Sequence, residues 1–217
     1  ASGGPFSKYP LEKFKMITPK LALNHPNWKM GKKISVDSAT MMNKVFEVIE
    51  AKKIFDLKYN QISIFVHPHS YLHAILKFKD GMINSIAHET TMEIPINNTL
   101  GKFKNDQIKF KKIDVKKLNN LQLSEIDKKK FPIVNVLNNL PTNDSLFETV
   151  LVSANDHLVN LLLNNKITYL ELIKKLSKIV SKKEFNKYKF IEPKRITDIL
   201  NLNKILKSKI IHDEKII

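Results

Sequence analysis

Cysteine is absent from the 217 residues. Disulfides and thiolate metal sites are therefore excluded, and a reducing compartment is the natural setting. Arginine is almost as scarce, Arg195 being the only one among 37 basic residues. Direct base readout relies on arginine forks, so a formal charge of +16 carried almost wholly by lysine argues against a sequence-specific nucleic-acid reader. That charge still suits an anionic partner such as nucleic acid, an acidic membrane surface or a phosphate metabolite. The bland account is a codon bias toward lysine, asparagine and isoleucine, visible in runs such as "KKLNNL". Long apolar stretches are missing as well. Nothing approaches the roughly 20 residues of a membrane-spanning helix and no signal-peptide pattern opens the chain, so it reads as soluble and without a membrane partner.

What is present is enough for a core. Hydrophobic residues make up 42% of the chain and aromatics 8%, a composition that supports one or two folded domains. The chain opens on the glycine turn "ASGGPF" with no element before it, which suggests that material upstream is missing. "PKLALNHPNWKMGKK" reads as a short helical piece followed by a loop around 25–31. Residues 34–36 read as a short strand, and residues 40–55 as a helix with apolar Met41, Val45, Val48, Ile49 and Ile54 at helical spacing. "SYLHAILKFKDGMINSIAHE" is two strand-like runs joined at Asp80-Gly81, a strong hairpin signal.

"TMEIPINNTL" follows as a loop and a short helix. Residues 103–130 turn lysine-rich with weak periodicity and suggest a surface connection carrying one or two short strands. Four helical segments close the chain: "FPIVNVLNNL", "NDSLFETVLVSANDHLVNLLLNNKI", "TYLELIKKLSKIVSKKEF" and "RITDILNLNKILKSKII", consistent with a small bundle. The expected fold class is α+β. A mixed α/β catalytic domain over 1–104, with a sheet, helices and a mobile lid loop, leads through a linker over 105–128 to a C-terminal helical bundle over 129–217.

The stretch "SVDSATMMNKVFEVIEA" carries the most chemistry. Asp37 or Ser38 could cap the helix that follows, whose electropositive N-terminus suits an anion. Asn43 and Glu47 are four residues apart, and Lys44 and Glu47 three, so all share one helical face. A surface Lys–Glu pair worth about 0.3–0.5 kcal/mol explains the same pattern, and spacing alone leaves the two readings even. Ser2 sits on a turn whose N–H groups could cradle a phosphate, although an ordinary tight turn explains it too. "HPNWKMG" combines His25, Trp28 and Gly31 as either a surface loop or a lid whose indole covers a ligand. In "HPHSYLH", His67 and His69 have metal-ligand spacing, but Pro68 intervenes and no carboxylate completes a set, which favours structural histidines. Asn155 and Asp156 interrupt an apolar helix and read as a buried polar link between domains.

Taken in order, "ASGGPF", "HPNWKMGKKISVDSATMMNK", "EVIEAKKIF", "HPHSYLHAILKFKDG", "TTMEIPI" and "SANDHLV" resemble the 1-deoxy-D-xylulose 5-phosphate reductoisomerases. The likeness covers essentially the whole chain but only the C-terminal portion of that enzyme. An N-terminal NADPH-binding region, with an Asp-Ser-Glu segment carrying two metal carboxylates, would precede it, and alone the chain should not catalyse. The resemblance implies an NADPH- and Mg²⁺- or Mn²⁺-dependent oxidoreductase and isomerase. Its reaction converts 1-deoxy-D-xylulose 5-phosphate to 2-C-methyl-D-erythritol 4-phosphate in non-mevalonate isoprenoid biosynthesis. It also implies inhibition by fosmidomycin, a homodimer, and an apicoplast-type plastid stroma or alternatively a bacterial cytoplasm.

Position by position, the resemblance makes Ser2, Ser38, Asn43 and Lys44 phosphate and substrate contacts, and His25 and Trp28 residues of the lid. Met30, Gly31 and Met92 would lie against NADPH, and Glu47 would be a metal carboxylate in contact with substrate. Glu47, His25 and Lys44 are thus the expected catalytic set. Lys29, the pair Val45-Phe46 and Asp156 depart from the family pattern, which would alter lid dynamics and packing. A basic nucleic-acid-binding module, or a non-catalytic interaction and dimerisation fragment, is the alternative.

Overall fold

The computed structural model describes residues 1–101 and 112–214, with side chains through 209. In chain order the helices and strands are α1 Pro19–Ala22, α2 Lys32–Thr40, α3 Met42–Phe55, β1 Phe65–Val66, β2 Leu72–Lys77, β3 Ile83–Ala87, α4 Glu93–Leu100, α5 Val115–Asn119 and β4 Ser124–Glu125. A 3₁₀ segment, Pro132–Asn139, then leads to α6 Phe147–Leu163, α7 Tyr169–Val180, α8 Lys183–Asn186 and α9 Ile196–Glu214. The α+β class expected from sequence is observed.

The chain forms two compact units, one of residues 1–3 and 64–126, the other of residues 4–63 and 127–217. This grouping cuts across the expected domains at 1–104, 105–128 and 129–217. Residues 4–63 fold with the helical region, whereas much of the supposed linker belongs with the strands. The physical reason is pairing: β4 returns to β1 as an antiparallel ladder, with Phe65 opposite Glu125 and Val66 opposite Ser124. The end of the first expected domain and the start of the linker, over 102–111, lie outside the described residues.

In the smaller unit, β2 and β3 form the hairpin that Asp80-Gly81 implied. Gly81 has φ of +90°, a left-handed conformation that glycine adopts without steric cost, and the Asp80 carboxylate accepts from the Met82 N–H at 2.9 Å. The hairpin register runs from Leu72 opposite Ala87 to Lys77 opposite Ile83. His67 is buried, with its Nδ1 3.2 Å from the Gln122 carbonyl, and His73 stacks on His88 at 3.6 Å.

In the larger unit, α6 is the central element. Val150, Leu151, Ala154, Leu158 and Leu162 are fully buried on a helix that packs against α2, α7 and α9. Helix α7 begins with a capping box at Thr168 and Glu171, which satisfies otherwise orphaned first-turn donors. Its buried Tyr169 packs edge-on against Phe6 at 5.3 Å and Phe14 at 6.0 Å.

The expected strand at 34–36 is instead the middle of α2. Ser35, Val36, Ala39 and Thr40 are buried, a pattern with helical period that weak hydrophobicity disguises. The expected helix over 40–55 is interrupted at its start by Met41, which takes a left-handed conformation at φ +68°. Helix α3 therefore begins at Met42. Neither Asp37 nor Ser38 caps it. The Thr40 hydroxyl accepts from the Met42 N–H at 3.3 Å, and Asp37 is buried inside the preceding helix.

Candidate functional site

Helix α3 places Asn43, Lys44 and Glu47 on one face within its first two turns. Asn43 donates from Nδ2 to Glu47 Oε1 at 2.6 Å, and Lys44 Nζ donates to Glu47 Oε2 at 2.5 Å. The carboxylate is 45% exposed and the lysine side chain 26%, so the group is open to a ligand yet held by its neighbours. The surface-pair account and the functional account thus share one geometry. What separates them is Asn43, whose amide completes an organised donor–acceptor–donor face that a solvated ion pair does not require.

Ser38 lies half-buried on the last turn of α2, and its surroundings fix that turn closely. Gly4 presses its Cα against it, and a Cβ built on Gly4 would stand 2.6 Å from the Ser38 carbonyl oxygen. Gly4 also has φ of +60°, so no other residue fits there without strain. One residue on, the Tyr169 hydroxyl donates to the Ala39 carbonyl at 2.8 Å. On the other side of Ser38, Asp37 receives the amide of Asn155 at 2.8 Å and the ammonium of Lys33 at 2.8 Å. Burial pushes the Asp37 carboxyl above its ordinary range, although Lys33 and Asn155 pull it back. Burial pulls the Lys33 ammonium down, but Asp37 and Asp156 outweigh this and leave it raised. Asn155 and Asp37 thus form a buried polar link, as expected of Asn155, but between two helices of one unit. Asp156 is half-exposed.

The loop before α2 lines a cleft of about 490 Å³, bounded by Leu23, Asn24, His25, Trp28, Met30 and Gly31 among others. His25 organises this loop. Its Nδ1 accepts the backbone N–H groups of Asn27 at 3.1 Å and Trp28 at 3.0 Å, which folds the chain into a side-chain-capped turn. An Nδ1 that accepts two donors carries no proton, so the neutral ring bears its hydrogen on Nε2. Burial lowers the imidazole pKa in the same direction. Gly31 ends the loop as the residue before α2, with open space where a Cβ would stand.

The remaining expected residues, Ser2 and Met92, belong to the smaller unit. Ser2 is half-buried on its segment 1–3, and Met92, 55% exposed, precedes α4. The structure therefore gathers Asn43, Lys44 and Glu47 directly and places Ser38, His25, Trp28, Met30 and Gly31 in the same unit. Glu47 offers hard oxygen donors that fit Mg²⁺ or Mn²⁺. No group of three His, Cys, Asp or Glu suited to a metal occurs among the described residues, so Glu47 fits as one ligand of a set rather than as a site by itself. Sequence reasoning did not foresee the Lys33–Asp37 pair or the contacts of Gly4 and Tyr169 with α2. Only the tight "SGG" turn hinted at any of them.

Two family models match the chain. Residues 1–55 match a 1-deoxy-D-xylulose 5-phosphate reductoisomerase C-terminal domain, and residues 88–209 a DXP reductoisomerase C-terminal domain. The 1-deoxy-D-xylulose 5-phosphate reductoisomerase of Pelagibacter ubique is 55% identical over 210 residues, covering 97% of this chain and 54% of the relative. That of Persephonella marina is 38% identical over 200 residues, covering 92% and 52%. A solved DOX-P reductoisomerase in complex with NADPH, fosmidomycin and magnesium superposes with a TM-score of 0.86 at 30% identity, over 99% of this chain and 54% of the other. The chain thus spans about half the length of the curated relatives it matches. Those relatives are bacterial, and the plastid placement expected from sequence finds no support in them. The chain belongs to the 1-deoxy-D-xylulose 5-phosphate reductoisomerase family, as its C-terminal portion.

Proposed function

We propose that this chain supplies the phosphate-binding and lid portion, and one metal carboxylate, of a bacterial reductoisomerase. That enzyme converts 1-deoxy-D-xylulose 5-phosphate to 2-C-methyl-D-erythritol 4-phosphate, working as a homodimer in the cytoplasm. The observation that carries this reading is the Asn43–Lys44–Glu47 face of α3 beside a sharply fixed Ser38 turn. A basic nucleic-acid module explains the charge but has no use for such a face, and it lacks arginine.

The division of labour follows from the side chains. Lys44, Asn43 and Ser38 are short or cationic donors suited to a phosphate dianion, a handle remote from the reacting carbons. Binding energy gained there can orient the ketone and close the loop. Glu47 would hold the divalent cation in company with carboxylates outside this chain. When bound, that cation would supply Lewis-acid polarisation of a ketone and NADPH would supply a hydride. His25, whose Nδ1 accepts from its own loop, would hold that loop in shape over the substrate. Trp28, which lines the cleft, would cover a bound ligand and exclude water, keeping an aldehyde from escape or hydration. Met30 and Gly31 would meet the nicotinamide end of the cofactor, Gly31 offering backbone without a side chain. Fosmidomycin, as a phosphonate, would use the phosphate donors.

The test is Lys44→Ala in the full-length enzyme. Phosphorylated ligands should lose at least about tenfold in affinity, the scale of one charge-assisted contact, while an unphosphorylated analogue loses little. Equal loss for both would refute the phosphate role.

A further inference from the structure

A charged cluster centred on the buried Asp37, with Lys33 and Asp156 half-exposed, lies beside the proposed site, and none of its members would touch substrate. Asp37 is 1% exposed, with one oxygen on Lys33 at 2.8 Å and the other on Asn155 at 2.8 Å. Lys33 reaches on to Asp156 at 3.1 Å and lies 5.0 Å over the Phe46 ring. These few side chains tie α2, α3 and α6 together. Asp37 is the residue before Ser38, and Phe46 the residue before Glu47.

Stability alone is a poor reason for this arrangement. Burying the Asp37 carboxylate costs solvation that its attraction to a half-exposed Lys33 recovers only in part. The cluster also leaves Asn155 Oδ1 buried without a hydrogen-bond partner, an added cost. What a directional network offers over an apolar contact is a single geometry. Helix packing tolerates sliding and rotation, whereas the Asn155 amide bonded to Asp37, with Lys33 of α2 reaching Asp156, ties α2 to α6 at one azimuth. Here the azimuth sets where Ser38 points, and the Lys33–Phe46 contact sets α3, which carries Asn43, Lys44 and Glu47, against α2. The left-handed Met41 between the two helices is a joint that needs such fixing.

We propose that Asp37, held by Lys33 and Asn155, is a positioning residue that aligns Ser38 with the Asn43–Lys44 face for binding the substrate phosphate. The proposal deepens the phosphate-binding reading above and rests on it. Asp37 neither transfers a proton nor meets the ligand; it acts through the orientation of α2.

The experiment uses the full-length enzyme with Asp37→Asn, Asn155→Ala and the exchange D37N/N155D, each measured for KM, kcat, Tm and fosmidomycin affinity. Asp37→Asn and Asn155→Ala should each raise KM for 1-deoxy-D-xylulose 5-phosphate and weaken fosmidomycin by about tenfold or more, the scale of lost outer-shell partners. Values of kcat should stay within about threefold, because these groups act on binding geometry rather than on the reacting bonds. The exchange, which restores a hydrogen bond of reversed polarity, should recover most of the KM. A merely structural cluster would lower Tm and leave KM and inhibitor affinity of the folded enzyme unchanged, and that result overturns the proposal. Should Asp37→Asn fail to fold, Lys33→Met, at a half-exposed partner, carries the same expectation in weaker form. Lys44→Ala run alongside separates the two levels. If Lys44→Ala raises KM and the cluster variants do not, positioning fails alone; if Lys44→Ala is also silent, the phosphate reading itself has failed.

Discussion

The sharpest consequence of the loop geometry concerns the two nitrogens of His25. Nδ1 accepts from the Asn27 and Trp28 N–H groups at 3.1 and 3.0 Å, and Nε2 carries the ring hydrogen. Asparagine places its amide oxygen close to where Nδ1 stands, whereas glutamine places its terminal group near Nε2. His25→Asn should therefore keep the turn and lose the Nε2 group, and His25→Gln should do the reverse. Each bond is worth about 1 kcal/mol net in a partly buried setting. Losing both removes about 2 kcal/mol of turn stability, or roughly thirtyfold in the ordered population. Amide hydrogen exchange of Asn27 and Trp28 in the full-length enzyme reads this directly. Protection should fall about thirtyfold in His25→Gln and hold within about threefold in His25→Asn. Acid should act like glutamine, because a proton on Nδ1 abolishes the acceptor. Burial depresses this imidazole below its ordinary 6.5, so its contribution to order is complete above pH 6.5 and is lost as pH falls through and below that value. If asparagine and glutamine variants exchange alike, the turn does not depend on Nδ1 and the assignment of the two nitrogens is wrong.

Further expectations concern the supports of the site. Gly4→Ala puts a methyl 2.6 Å from the Ser38 carbonyl at a φ of +60°. Left-handed backbone alone costs about 1–2 kcal/mol, so Tm should fall and KM for the phosphorylated substrate should rise; an unchanged KM would mean that the Ser38 turn does not bind it. Asp144 receives Lys53 at 2.7 Å and Lys52 at 3.3 Å, and Lys53 foremost holds its carboxyl below the ordinary 3.8. The stabilisation is then present above that value and lost as pH falls below it. At 51% exposure of the carboxylate, the pair is worth no more than about 1 kcal/mol. The Tm difference between wild type and Asp144→Asn should be small at pH 7, shrink in high salt, and vanish in strong acid.

Local signals were legible where chemistry is local. Asp80-Gly81 announces the hairpin because few dipeptides accept its turn, and the period of "TYLELIKKLSKIV" announces α7 because its buried face is apolar. Helix α2 was read as a strand because its buried face includes Ser35, Asp37 and Thr40, polar residues that erase the hydrophobic period. The break at Met41 has no glycine or asparagine to mark it, so the start of α3 was placed too early. Contacts that fix the site join residues far apart in sequence, such as Asp37 with Asn155 and Ala39 with Tyr169, and no spacing rule reaches that distance. The same holds for the unit boundary, which depends on β4 returning to β1. The site residues themselves were legible through motif resemblance, since the spacing of Asn43, Lys44 and Glu47 fits an ordinary surface pair equally well.

The central claim is that the α3 face binds ligand through Lys44 and Asn43 and metal through Glu47. Mn²⁺ binding to the full-length enzyme, followed by the loss of its free-ion paramagnetic signal, tests this most directly in wild type and Glu47→Gln. Glutamine keeps the size and one oxygen while removing the charge. The account predicts a Mn²⁺ affinity weakened by at least about tenfold, with the fold retained by circular dichroism. An unchanged Mn²⁺ affinity in a folded Glu47→Gln enzyme would contradict it.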